Sequence, residues 1–165
     1  MRSLLHAVLL LGGVGSACTG GGGGGDDGDD GGAAGFPGVW LYQEGSFSFV
    51  NCYTTSRTVD LTRSGFQIVD EAGTLVRINP DGCRFTLVPS TARHAAGVAG
   101  EECTVTGTDT LGNPSTTRYR LETLLLELDP GDGSEMIEVF SIGAEQTTTL
   151  GTVRCEISGN NTLYR

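Results

Sequence analysis

Beyond Val39 the chain repeatedly sets apolar residues against polar ones at every second position. In Arg57–Arg63, Val59 and Leu61 alternate with Thr58, Asp60 and Thr62. Thr74, Val76 and Ile78 alternate with Leu75, Arg77 and Asn79; Cys83, Phe85 and Leu87 alternate with Arg84, Thr86 and Val88. Cys103 and Val105 oppose Thr104 and Thr106, and Met136–Ile142 is rich in β-prone residues. A period of two with Thr, Val and aromatics predicts half-buried strands.

Turn chemistry separates these runs, at Arg63–Gly65, Glu71–Gly73, Asn79–Gly82, Leu111–Pro114 and Asp129–Gly133. Proline presets φ at the first turn position and glycine takes positive φ without strain. Such short connections predict antiparallel hairpins, since parallel crossovers need a dozen or more residues. One segment is ambiguous: Leu121, Leu124, Leu125 and Leu128 fall at helical spacing, and Asn113–Pro114 could open a helix. Thr116, Thr117 and Tyr119 favour strand, so Arg118–Leu128 is read as a strand with a bulge near Leu124–Leu126. The expected fold is all-β, an antiparallel meander of about 8–10 strands closed as a small barrel or stacked as a sandwich.

The first 35 residues follow other rules. Arg2 precedes an apolar run, Leu4–Leu11, interrupted by His6 and followed by small residues. That is the layout of a secretory signal, too short for a membrane span of about 20 residues. The stretch Gly15-Ser16-Ala17-Cys18 resembles the bacterial lipobox, although Gly15 stands where that motif usually has a branched apolar residue. The resemblance implies acylation of Cys18, which becomes the mature N-terminus. It implies a protein of the bacterial cell envelope, with Thr19 favouring the outer membrane over retention at the inner one. Residues 1–17 are then signal peptide, 18–35 a lipidated cysteine with a Gly/Asp tether, and 36–165 the folded domain. The tether's flexible reach is about 23 Å. Asp26, Asp27, Asp29 and Asp30 are read as hydration of this linker, because no downstream bidentate Glu completes a calcium loop.

Charge narrows the partners. The chain has ten arginines, no lysine and twenty acids, a formal net charge of −10. A surface so acidic disfavours nucleic acid. The five cysteines divide naturally: with Cys18 acylated, Cys52, Cys83, Cys103 and Cys155 form an even set suited to two disulfides in an oxidising compartment. Three pairings are possible; the preferred one joins Cys52 to Cys155 and Cys83 to Cys103. No CxxC knuckle supports zinc.

Chemistry is sparse. His94 is the one histidine outside the signal, and no G-x-S-x-G or H-E-x-x-H occurs. The acid pairs Glu101/Glu102 and Glu135/Glu138 are separated by odd numbers, which places their members on opposite strand faces. No catalytic residue, cofactor or metal is expected. Gly38-Val39-Trp40 resembles the Gly-x-Trp of lipocalin-like barrels, which implies a tryptophan closing the barrel floor against a late arginine, Arg154 or Arg165. The expected function is a non-catalytic, lipid-anchored module binding a small apolar ligand or an envelope protein. A structural or adhesive surface component without a pocket is the alternative; a carboxylate-dependent hydrolase stands last.

Overall fold

The structure is a computed structural model that describes residues 34–50, 57–108 and 112–165. The signal segment, Cys18, the tether and Cys52 lie outside the described residues. The rest is all-β and antiparallel, as the alternation predicts. Its strands are β1 (Gly38–Glu44), β2 (Ser46–Val50), β3 (Arg57–Asp60), β4 (Gly65–Glu71), β5 (Thr74–Ile78) and β6 (Arg84–Pro89). They continue as β7 (His94–Gly97), β8 (Glu102–Thr108), β9 (Pro114–Leu128), β10 (Glu135–Thr148) and β11 (Gly151–Tyr164).

Eleven strands replace the expected eight to ten because three runs are each broken once. β1 and β2 lie end to end along β11, separated at Gly45. β3 pairs with β2 and β4 with β1, so β3 and β4 also form one interrupted run. β7 and β8 both line β9. The expected hairpin turn at Arg63–Gly65 is therefore an interruption within a run: Ser64 bonds back to Leu61 and the chain resumes its direction.

Pairing proceeds β1–β4–β5–β6–β7–β9–β10–β11 and returns from β11 to β1, closing a barrel-like ring of eight strands. Local chemistry makes the corners. Ala72 and Gly73, both at positive φ, form the two-residue loop between paired Glu71 and Thr74, the geometry that matches strand twist. Asp129 and Asp132 accept bonds from the amides of Gly131 and Ser134 and so fold the β9–β10 turn. At Gly65 the backbones of β1 and β4 approach so closely that a Cβ would lie 2.0 Å from the Trp40 carbonyl oxygen, a contact only glycine permits.

Arg118–Leu128 is strand throughout, inside the longer β9. Its bulge falls earlier than expected: Ser141 and Ile142 face Thr123 and Leu121, leaving Glu122 as the extra residue. Shifting the bulge from Leu124–Leu126 to Glu122 puts Leu121, Leu124, Leu126 and Leu128 all inside, so burial of four leucines decides the register.

The core is the interior of the ring. At one end, the floor, Phe36, Trp40, Leu128, Met136 and Leu163 are buried. At the other end β8, β2, β3 and the far halves of β9, β10 and β11 continue as an open sheet whose edges are β3 and β8. Phe47, Val105, Tyr119 and Ile157 line its inner face, partly buried against the core. The chain enters and leaves at the floor.

Candidate functional site

Two constellations occupy the ring, one at its floor and one across its middle. At the floor Trp40 is fully buried and donates its indole N–H to the Phe36 carbonyl at 2.9 Å. The guanidinium of Arg165 lies 5.0 Å from the Trp40 ring centre. Arg165 also donates to the carbonyls of Gly35 (2.9 Å) and Pro37 (3.4 Å), and its own amide donates to Ser134. The C-terminal residue thus ties the entering chain, the β9–β10 turn and the tryptophan together. Gly38 has φ 153°, a conformation that residues with a Cβ rarely adopt. Arg154, the other candidate, is elsewhere: it lies on the outer face of β11 towards the flared end, exposed, and bonds Glu145 at 2.6 Å. Replacing Arg165 with alanine should cost about 1 kcal/mol, the middle of the cation–π range, and change Trp40 fluorescence. Arg165→Lys, which keeps charge but not the flat guanidinium, should recover only part of the loss; denaturant melts of the two variants check this.

Across the middle runs a polar brace. Arg77 on β5 and Glu138 on β10 are both buried and form an ion pair, Nη1 to Oε1. Around the eight-stranded ring these strands are four places apart in either direction, so the pair spans the lumen. Tyr42 on β1 donates its hydroxyl to Glu138 Oε2 at 2.9 Å, and Asn161 on β11 donates its amide to the same oxygen at 3.1 Å. Arg77 donates from Nη2 to the Tyr42 oxygen (3.3 Å) and from Nε to Asn79 (2.9 Å). Its Cζ lies 4.0 Å from the centre of the Phe66 ring. Asn161 Oδ1 accepts from the Ser46 amide at 2.9 Å. Burial, followed by the adjacent Glu138 charge, pushes the Tyr42 phenol well above its ordinary range. Among the described residues no buried side-chain nitrogen or oxygen lacks a partner, so the brace is complete by its own bonds.

The brace has no signature in the sequence, where Glu138 stands only as one of a pair of acids. The structure separates that pair: Glu138 is inside and Glu135 exposed. Glu101 and Glu102 also part. Glu101 accepts from the Thr86 amide at 2.6 Å, and Glu102 binds Arg118 on the outer face. His94 is half exposed beside Glu127, 3.5 Å away.

An open depression of about 560 Å³ lies where β1, β2, β3 and β11 meet, lined by Glu44, Ser46, Thr58, Asp60, Asn160 and Thr162 among others. Its polar walls suit water better than an apolar molecule. Asp60 accepts from both the hydroxyl and the amide of Thr62, and these bonds hold its carboxyl below the usual aspartate range. It is ionised at neutral pH and cannot serve there as a proton donor.

Cys83 and Cys103 are joined, as the preferred pairing has it. The bond fastens the β5–β6 turn to the start of β8. Cys155 is disulfide-bonded too; Cys52, the partner expected for it, lies outside the described residues. Among the described residues no three His, Cys, Asp or Glu side chains group to hold a metal ion. No family model matches this chain, and no curated protein or solved structure is significantly similar to it.

Proposed function

We propose that this is a lipid-anchored bacterial envelope protein whose β domain is non-catalytic and works from its outer surface, as a structural or partner-binding component. The observation that carries this reading is the Arg77–Glu138 brace, which crosses the lumen where a lipocalin-like barrel would hold its ligand. A ligand entering there would have to displace a buried ion pair whose groups already satisfy one another, and stranding either charge costs several kcal/mol. The floor arrangement of Gly38, Trp40 and Arg165 supports a lipocalin-like closure, with the interior given over to packing.

The address comes from the sequence. With Cys18 acylated and a tether of about 23 Å reach, the floor faces the membrane because the chain enters there, and the flared end faces away. Native mass spectrometry of protein extracted from the envelope of a producing bacterium tests both halves. The expected species is the chain from Cys18 onward carrying acyl groups, with no co-purifying small molecule. An unacylated N-terminus, or loss of no label when Cys18→Ala is grown with radiolabelled fatty acid, would overturn the anchor. A stoichiometric apolar passenger would overturn the reading of the interior.

A further inference from the structure

The outer wall formed by β6, β7, β9 and β10 carries a row of apolar side chains in lateral register. Val88 pairs with Ala96, Ala96 with Leu125, and Leu125 with Val139. Ile137 and Val98 flank the row, two positions along β10 and just beyond β7. Nine large apolar side chains are exposed among the described residues, and five belong to this wall: Val88 (55%), Leu125 (51%), Ile137 (48%), Val139 (39%) and Val98 (38%). A contiguous exposed apolar strip with a polar border is the usual anatomy of a protein contact.

The border is mainly acidic, with Arg120 also exposed two residues from Glu122 on β9. Glu127 adjoins Leu125 on the floor side, paired with His94 at 3.5 Å. Glu122 lies on the other side, accepting from Ser141 at 3.1 Å, with Glu156 also reaching that serine at 3.5 Å. Glu101 closes the β6 side through the Thr86 amide. This pattern argues against a second copy of the chain. A two-fold axis lying in the contact plane sets Glu127 against its own copy when it runs along the strands. When it runs across them, Glu127 meets Glu122 of the mate. Opposed like charges destabilise a contact.

We infer that this wall is the docking surface for a different protein, one presenting a strip of aliphatic side chains between lysines or arginines. The inference rests on the reading that the domain works from its outer surface, and it names the wall and the partner's chemistry. A fluorescent peptide alternating leucine with lysine serves as the probe, titrated into the full-length chain and followed by anisotropy. Leu125→Asn and Val139→Asn should each weaken binding about tenfold, a loss typical of a central contact residue. Val39→Asn, at a residue 59% exposed on the separate strand β1, should leave binding unchanged. Matching Trp40 near-ultraviolet dichroism shows that each variant is folded. Equal loss at Val39, equal binding of a leucine/glutamate peptide, no binding at all, or concentration-dependent dimerisation in sedimentation would each overturn the surface. None of these results bears on acylation of Cys18, so the anchor and the docking wall fail separately.

Discussion

Replacing Glu138 with alanine should destabilise the domain by about 3–5 kcal/mol, the cost of stranding a buried charge, and lower its melting temperature on the order of 10 °C. Arg77 would keep Asn79 and the Tyr42 oxygen but lose its carboxylate partner, with little access to water from a side chain 7% exposed. The double variant Arg77→Met, Glu138→Leu should be far milder, from neutral to more stable than wild type, because apolar groups of similar volume need no partner. Thermal melts of the single and double variants supply the test. A Glu138→Ala loss below about 1 kcal/mol would mean that the pair is solvated and the lumen open. Tyr42 adds an alkaline counterpart. Its folded phenol is raised, so the stability it contributes is complete below about pH 10, the ordinary tyrosine value. That stability is lost as pH climbs from there towards the folded value. Tyr42→Phe should remove this part of the alkaline fall while costing about 1 kcal/mol at neutral pH for the lost bond.

The second large effect belongs to the Cys83–Cys103 bond. Removing it with Cys83→Ala and Cys103→Ala should cost about 3 kcal/mol from the restored freedom of a 20-residue loop. Cys83 is also fully buried in the core, so the smaller alanine adds a packing loss of its own. The mechanical consequence is specific. β5 and β6 are short strands of the ring, five and six residues long, and the disulfide joins their turn to β8, which among the described residues otherwise pairs only with β9. Hydrogen exchange should therefore rise most in Arg84–Pro89 and Glu102–Thr108 and least in the β10–β11 hairpin. Uniform acceleration would show that the bond acts only through the unfolded chain.

Much of the fold was legible because strand alternation and turn chemistry are local. Glu71–Gly73, Asn79–Gly82 and Asp129–Gly133 all became turns at the expected places. What escaped was which face points inward. On β10 Met136, Glu138, Phe140 and Ile142 form one face and Ile137 and Val139 the other. Both are apolar, and the face carrying the glutamate is the buried one. On β5 Leu75 and Arg77 share the inward face with their partners Leu87 and Phe85, while Val76, itself buried, and Ile78 alternate with them, again against a naive count. Arg77 and Glu138 explain each other, but 61 residues separate them, and one sequence contains no sign of that meeting. The arginine over Trp40 was legible only as a choice of two, because strand order alone decides that the chain's last residue, and not Arg154, returns to the floor. The outer apolar row was invisible for the same reason: it exists only once Val88, Ala96, Leu125 and Val139 are brought abreast.

The proposed function depends on a lumen filled by its own side chains. The most direct measurement is titration of the native chain with a fluorescent fatty-acid analogue, followed by both probe emission and Trp40 quenching. A filled lumen predicts no saturable uptake and no quenching up to concentrations where the probe forms micelles. Saturable one-to-one uptake that quenches Trp40 and is abolished by bulky substitution at Phe66 would show a ligand cavity and contradict it.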